Sequence, residues 1–274
     1  MRLFSHRHRP AHLGTWPLER LARGTAIPPL PPRAQAALDF GSAGGASIAA
    51  AMRSYIGLHD QLRDGPVRPG QAPLPDDLAL RAANVKGGCY YLDASQVGIA
   101  RLTDADVLET PVRPPEAVAV RDGISAGTEA NAMFSVRDFG QRDAEAAAAS
   151  FRALGHDHAV VILVAHTRDP RPGEPGEPWL RGTQAHRAAV RASEIAVVVA
   201  GYLRTLGYSS RAHTATTREV DFERLVLACG LGELDGKGLA AGLRNPYLGD
   251  RYGVAVVTTT LALACDEPLA PRGP

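Results

Sequence analysis

The sequence predicts an α/β protein in which one β-sheet is sandwiched between helices. AVVILVAH, residues 159–166, is a continuous apolar and β-branched run, typical of a strand buried on both faces at the centre of a sheet. Residues 183–206 predict a long helix, because apolar residues recur there at alternating spacings of four and three. Predicted strands and helices alternate along the rest of the domain, which is the pattern of an α/β fold.

Residues 1–74 predict an extended, Pro-rich leader that wraps over a surface ahead of an α/β domain at residues 75–274. The first 36 residues contain six arginines and one acidic residue, and they include the run IPPLPP. Prolines hold the backbone in an extended path and break regular structure. A second such break, DGPVRPGQAPLPDD, closes the leader at residues 64–77.

The first elements of the domain follow from short patterns. Residues 75–85 predict a helix with two aspartates in its first turn, where carboxylates complement the helix dipole. SQVGIARL, residues 95–102, predicts a short strand. The run centred on AEAAAAS predicts a helix over residues 142–154, and Gly155 is placed to end it.

The second half of the domain begins with a Pro/Gly-rich loop at residues 167–182, either a lid, a subunit contact or a plain surface loop. The long helix after it ends at Gly207, and its small residues predict close packing against a partner helix. The remaining pattern predicts a strand at 209–214, a helix at 219–229 and a final strand at 254–263. The stripe of the long helix consists of Ala185, Ala189, Ala192, Ala196, Val199, Leu203 and Leu206.

Composition narrows the function classes. The chain has 274 residues, 45% apolar content and a formal net charge of +1, so it lacks a long-range field for nucleic acid or an anionic membrane. No window reaches the ~18 consecutive apolar residues of a membrane span, and the basic N-terminus lacks the apolar stretch of a secretory signal. The three cysteines are isolated, without a CxxC run, which excludes the standard iron–sulfur spacings within this chain. We therefore expect a cytoplasmic protein that binds neither nucleic acid nor membrane.

The segment GLGELDGKGLAAGL, residues 230–243, suggests a ligand loop. It does not match GxGxxG after a strand, and Gly238 stands where a P-loop needs Ser or Thr. It also follows a predicted helix, whereas both nucleotide motifs follow a strand. Its glycines instead predict a backbone that lies close against a flat ligand or a partner chain.

Three blocks in order resemble a known family: AGYLRTLGYSSRAH, then ACGLGELDGKG, then GDRYGVAVVTTTLALACDEPL. They resemble the corrinoid-binding domain of reductive dehalogenases and, more distantly, epoxyqueuosine reductases. The resemblance spans about residues 75–268. HRPAHLGTWPLERL in the leader resembles the start of the long, cytoplasmic dehalogenases, which resemble a fused pair of such domains with a degenerate first copy. This chain looks much like that first copy.

The resemblance implies a nitroreductase-like α/β fold, a cobalamin beside the sheet and reduction of a carbon–halogen bond. In the family, electrons come from two 4Fe-4S clusters in a following ferredoxin module. Here the sequence ends at CDEPLAPRGP, so we expect electrons from a separate ferredoxin-like donor or a second dehalogenase half. A homodimer or pseudo-dimer is the expected assembly, and FMN is the alternative cofactor, because the wider fold can host flavin.

The same resemblance suggests site residues, each with a plainer alternative. Tyr247 is a candidate proton donor, or a packing ring. Lys237 falls near a basic residue of the family motif and is the second catalytic candidate. His213 is a candidate corrinoid ligand, or a satisfied surface histidine. Arg244 and Arg251 could hold a carboxylate or phosphate, or be solvated. The candidate cofactor-contacting glycines are Gly230, Gly232, Gly236 and Gly238.

Departures from the family pattern leave three hypotheses open. Asp235 is inserted in the glycine-rich segment, and Thr260 replaces the aspartate of the final strand. The chain is then a corrinoid-dependent reductase, a non-catalytic pseudo-dimer partner of an active half, or a corrinoid or flavin carrier. His156 and His158 lie in a turn without a nearby third ligand, which argues against a metal site. Cys89 is expected to be a buried structural thiol.

Overall fold

The computed structural model describes residues 9–30, 35–41, 46–114, 149–235 and 242–271. The helices are α1 (Ile48–Leu62), α2 (Leu78–Tyr91), α3 (Glu177–Leu180), α4 (Gln184–Thr205) and α5 (Phe222–Ala228). The strands are β1 (Gln96–Arg101), β2 (Val107–Val112), β3 (His158–Ala165), β4 (Ser210–His213), β5 (Arg218–Val220), β6 (Glu233–Asp235), β7 (Gly242–Arg244) and β8 (Tyr252–Thr259).

The main sheet has four strands in the order β1-β3-β8-β4, and each neighbouring pair is antiparallel. β3 and β8 form the centre, paired from His158 opposite Thr259 to Ala165 opposite Tyr252. The prediction that residues 159–166 form a central, doubly buried strand is confirmed. Two small sheets, β2 with β5 and β6 with β7, lie outside the main one.

Helices cover both faces of the main sheet, as predicted, and the alternation of side chains along β3 shows it. Val160 and Ile162 join the apolar cluster formed with α2 and α4. Val161 and Leu163 point to the other face and join the cluster formed with α5. Successive strand residues point to opposite faces, so a strand needs an unbroken apolar run only when both faces are covered.

The long helix α4 packs mainly on the sheet, but its small-residue stripe also meets a partner helix, as predicted, because Ala189 clusters with Ile56 of α1. Ala188, Ala192 and Ala196 are buried in the cluster that contains the strands. A Cβ added to Gly253 on β8 would lie 2.6 Å from the Ala188 carbonyl carbon, so only glycine permits this close approach. Helix α1 contacts a neighbouring side of α4, where Ile56 clusters with Val190.

Several boundaries differ from the predicted ones. α2 continues to Tyr91, beyond the predicted end at residue 85, because buried Cys89 anchors its last turn. The predicted helix at 219–229 begins only after Asp221, whose carboxylate accepts hydrogen bonds from the Glu223 and Arg224 amides. Residues 218–220 instead form β5, which pairs with β2. The final strand ends at Thr259.

The described part of the leader is extended in places, but it includes an α-helix and two short 3-10 helices, Ala11–Leu13 and Leu18–Arg20, that the extended path did not predict. α1 has 15 residues and begins after Ser47, whose side chain accepts a hydrogen bond from the Ala50 amide. Leader residues before α1 lie beside the C-terminal segment, and the Gly24 amide donates to the Pro268 carbonyl. The domain division at 74/75 stays a prediction. Residues 142–148 of the predicted fourth helix lie outside the described residues, and residues 149–152 are helical.

Among the described ranges, no helix has the length and apolarity that a bilayer crossing requires.

Candidate functional site

The first described glycine of the predicted ligand loop is packed against the chain itself. Gly230 has a φ of 67°, which glycine adopts without strain. Its carbonyl accepts a hydrogen bond from Arg23 Nη1 at 3.3 Å, and the same guanidinium nitrogen donates to the Glu267 carbonyl at 2.9 Å. A Cβ at position 230 would collide with both Arg23 and Glu267. The space beside Gly230 is therefore filled by the leader and the C-terminal segment.

Gly232 is enclosed in the same way. A Cβ there would lie 2.8 Å from Val226 Cγ1 and 2.9 Å from Leu243 Cδ1. A flat macrocycle needs backbone exposed to open space, and these two glycines do not provide it. The described part of the loop does not fit a corrinoid. Gly236, Lys237 and Gly238 lie outside the described residues, so their predicted roles stay predictions.

Tyr247 faces the leader. Its hydroxyl donates to the Pro17 carbonyl at 3.0 Å, and its ring centroid lies 5.5 Å from that of Trp16. Burial raises the pKa of the phenol. The ring is thus held by leader residues, and its proton-donor role stays a prediction.

The two candidate substrate arginines are exposed. Arg244 Nη1 pairs with Asp235 Oδ2 at 2.8 Å across the β6–β7 hairpin, and this hydrogen bond raises the pKa of Arg244. Arg251 Nη2 donates to the Thr167 carbonyl at 3.4 Å. Neither is buried, and surface pairs of this kind contribute little to stability. Their substrate role stays a prediction.

His213 is not the surface histidine of the plainer alternative, because its side chain is completely buried. Its Nε2 lies 2.9 Å from Thr258 Oγ1, and its Nδ1 accepts a hydrogen bond from the Glu219 amide at 3.3 Å. Burial lowers its pKa to about 4, although the adjacent Glu219 carboxylate acts in the opposite direction. The imidazole is therefore neutral at neutral pH.

His156, His158 and Cys89 are held within the fold. His156 bridges Thr258 and Ser209, and His158 contacts Asp157. Throughout the described ranges, no group of three or more His, Cys, Asp or Glu side chains could hold a metal ion. Cys89 is buried, as predicted, and burial raises its pKa to about 12.

A cleft of 1190 Å³ lies elsewhere on the molecule, between leader residues 35–41, helix α1 and strand β2. Apolar side chains contribute much of its lining, including Phe40 and Ile56, and such concave, mostly apolar sites commonly take ligands. Asp60 lines it and accepts hydrogen bonds from Thr214 Oγ1 at 2.5 Å and Thr216 Oγ1 at 2.8 Å. None of the described candidate residues from the sequence lines this cleft.

A cluster of charged side chains lies behind the cleft. Arg63 and Arg113 line the cleft, and both donate hydrogen bonds to Oε1 of Glu219. The bond from Arg113 is 2.6 Å long. Burial alone would raise the pKa of Glu219, but the Arg63 guanidinium and its neighbours hold it well below its usual range. Burial also lowers the pKa of Arg63, although that guanidinium stays charged beside Glu219. The buried Arg63 and Glu219 and the half-buried Arg113 form an ion triad that fixes two guanidinium groups at the cleft.

No sequence pattern indicates this cluster. Arg63 follows α1 inside the predicted extended leader, and Glu219 lies at the start of the predicted helix at 219–229. The three residues Arg-Glu-Val of β5 are too few to show the alternation that indicates a strand. The contact joins residues more than 150 positions apart, so no local pattern could have revealed it.

Comparison with solved structures gives extensive similarity. A B12-dependent reductive dehalogenase is 35% identical to this chain with a TM-score of 0.71; the match covers 100% of this chain and 32% of the dehalogenase. The catabolic reductive dehalogenase NpRdhA in complex with 3-bromo-4-hydroxybenzoic acid matches with the same identity, TM-score and coverage. An epoxyqueuosine reductase is 12% identical with a TM-score of 0.44, covering 71% of this chain and 49% of that protein.

The chain thus spans about a third of the length of the dehalogenases it matches. No protein-family model matches the chain, and no curated protein does.

Proposed function

The chain resembles reductive dehalogenases over its whole length, and from this premise we propose that it serves reductive dehalogenation as a non-catalytic domain. It would pack as the pseudo-dimer partner of an active, corrinoid-binding half. The observation that carries this proposal is the close packing at the described start of the glycine-rich loop, where Arg23 and Glu267 occupy the space beside Gly230. A domain that keeps the fold and fills this space is suited to support and not to catalysis.

The surroundings of the other candidate residues support the same proposal. The Tyr247 hydroxyl is bonded to the Pro17 carbonyl, and His213 is buried beneath the sheet surface. Neither side chain lines the cleft. A proton donor must come within hydrogen-bond reach of the reacting atom, and both groups are engaged with the chain itself. The catalytic work would then fall to the active half and its iron–sulfur donor.

A second candidate function is corrinoid-linked reduction of an organohalide by this chain, with electrons from a separate iron–sulfur protein. The NpRdhA complex with 3-bromo-4-hydroxybenzoic acid favours it, because that relative is 35% identical over the whole chain. When bound, a corrinoid supplies cobalt for reduction of the carbon–halogen bond. A corrinoid or flavin carrier is a variant of this candidate.

Both candidates are compatible with a cytoplasmic protein. Cys89 and Cys229 are free, buried thiols, and disulfides are rare in reducing compartments.

Cofactor uptake tests the proposal. The purified chain is incubated with hydroxocobalamin or with FMN, separated from free cofactor by gel filtration, and examined by visible absorbance. We expect that the protein fraction shows neither the cobalamin nor the FMN absorbance bands. Stoichiometric retention of cobalamin would overturn the non-catalytic assignment and favour the second candidate, whereas retention of FMN would favour a flavin carrier.

The partner role needs a separate measurement. Sedimentation of the chain alone and mixed with a corrinoid-binding dehalogenase half should show a new species only in the mixture. An unchanged sedimentation profile with a folded, cobalamin-loaded partner would contradict the pseudo-dimer.

A further inference from the structure

Five polar groups form one hydrogen-bonded row that crosses the edge of the main sheet. Ser209 Oγ lies 2.8 Å from His156 Nε2, and His156 Nδ1 lies 2.8 Å from Thr258 Oγ1. Thr258 Oγ1 in turn lies 2.9 Å from His213 Nε2, and His213 Nδ1 accepts from the Glu219 amide at 3.3 Å. The row joins a partly exposed end at Ser209 to the charge cluster behind the cleft.

The last member of the row fixes the tautomer of His213. A backbone N–H can only donate, so His213 Nδ1 is an acceptor, and a neutral His213 then carries its proton on Nε2. That N–H donates to Thr258 Oγ1. We assign the Thr258 hydroxyl proton to His156 Nδ1, and in this arrangement His156 carries its own proton on Nε2 and donates it to Ser209.

The carboxylate of Glu219 leaves a place for one more proton. Its Oε1 is held by Arg63 and Arg113, while its Oε2 lies 3.1 Å from His213 Nδ1. Within the part of the chain that the structure describes, Oε2 is a buried oxygen with no hydrogen-bond partner. A lone pair of Nδ1 therefore faces an unsatisfied carboxylate oxygen, a costly arrangement that a proton on Nδ1 would relieve.

We propose that His213 Nδ1 is the proton acceptor of an acid-sensitive switch that controls the arginines of the cleft. In the neutral state Nδ1 accepts from the Glu219 amide, Arg63 and Arg113 hydrogen-bond to the carboxylate, and Arg211 Nη1 lies 3.9 Å from Oε1. When Nδ1 takes up a proton from solvent, its N–H donates to Oε2, and the Glu219 charge is shared with one more cation. The hold on both arginines weakens, while the bond from Nε2 to Thr258 is unaffected.

The surrounding charges make the neutral state the resting state. The Phe151 ring meets both imidazoles edge-on, at 5.3 Å from His213 and 5.8 Å from His156, and limits water access. Burial disfavours the additional proton most, and the Arg63 and Arg211 guanidinium groups disfavour it further, so the pKa of His213 is lowered to about 4. The charged groups around the two rings are Glu219 from β5, Arg63 and Asp64 after α1, Arg211 from β4 and Asp157 before β3, while Arg113 after β2 pairs with Glu219.

Nitrogen-15 NMR of the full chain tests the resting state. Histidine side-chain spectra distinguish the two neutral tautomers and the imidazolium, and resonances are assigned with single His→Gln variants. At neutral pH we expect His156 and His213 both to carry the proton on Nε2. A proton on Nδ1 of either ring, or an imidazolium spectrum, would overturn the proposed row.

An acid titration tests the switch. We expect His213 Nδ1 to become protonated as the pH falls, with a simultaneous change in the Arg63 and Arg113 side-chain resonances. In Glu219→Gln the carboxylate is absent, so the protonation midpoint of His213 should fall by at least one pH unit, a tenfold weaker proton affinity. An unchanged midpoint, or arginine resonances that do not respond, would contradict the switch.

A second variant keeps the proposal testable if Glu219→Gln does not fold. Thr258→Val replaces the bridging hydroxyl with a methyl group of similar size and leaves Glu219 in place. We expect His156 to lose its tautomer preference while His213 keeps its Nε2 proton. Thr260→Val is the matched control, because Thr260 is not a member of the row, and it should change neither ring. Loss of the His213 tautomer in Thr258→Val would assign its control to the Thr258 hydroxyl instead of the Glu219 amide and overturn the switch.

Discussion

The glycine-rich segment and the cleft are built in opposite ways. Beside Gly230 and Gly232 the chain's own atoms fill the space, and the ion pair on the neighbouring hairpin, Arg244 with Asp235, is exposed. At the cleft the space is open, and the charges behind it are buried. The described start of the segment that resembles a ligand loop is closely packed, and the open site is formed by residues without a motif. Family-like sequence therefore marks the fold here more reliably than it marks a binding site.

The largest difference in unfolding free energy is expected when one ion pair of each region is broken. Glu219→Ala leaves Arg63 buried without its counter-ion, which costs about 3–5 kcal/mol of unfolding free energy. Asp235→Ala, the matched control, removes one partner of an exposed pair and should leave stability unchanged within measurement. Urea unfolding of both variants measures the difference. Equal effects would show that the two ion pairs are not energetically distinct.

The buried imidazole near the cleft makes the protein acid-sensitive. His213 has a folded-state pKa of about 4, below the ~6.5 of an unfolded histidine, so the unfolded chain binds the proton first. Stability is therefore highest above about pH 6.5 and falls as the pH drops toward 4, by roughly 3 kcal/mol for this group. Urea unfolding across this pH range checks it. A flat profile would mean that the ring is solvated or already charged.

A matched pair of glycine substitutions compares the filled and open spaces directly. Gly230 and Gly41 both have positive φ, 67° and 81°, so alanine is strained at either position. At position 230 the methyl group also collides with Arg23 and Glu267, whereas nothing lies within 4 Å of a Cβ at position 41. We expect a loss of about 2–3 kcal/mol for Gly230→Ala and about 1 kcal/mol for Gly41→Ala. Similar thermal unfolding midpoints would show that Gly230 is not closely packed.

The smallest effect concerns the contact between leader and loop. Tyr247→Phe removes the hydroxyl that donates to the Pro17 carbonyl and keeps the ring against Trp16, so the loss is about 1 kcal/mol. Chemical denaturation measures it. If the variant had full stability but abolished a dehalogenase activity reconstituted with an active half, Tyr247 would act as a proton donor and not as a leader anchor.

The sequence predicted most of the main sheet, because its signals are local. The apolar run of β3 and the small-residue stripe of α4 gave both elements to within a residue or two at each end. The pattern failed where an element is short or tertiary contacts decide it, as at β5, which is a strand because β2 pairs with it. The candidate site was least predictable. The sequence indicates its glycines, but it does not indicate that Arg23 of the leader packs against Gly230.

The sequence by itself determined the layered α/β fold, the buried central strand and the resemblance to reductive dehalogenases, since periodicity and motif order are properties of neighbouring residues. Only the tertiary structure decided which spaces are open. Arg23 meets Gly230, and Arg63 meets Glu219, across more than 150 residues of chain in each case. The energies of such contacts depend on burial and distance, which residue spacing along the chain does not encode.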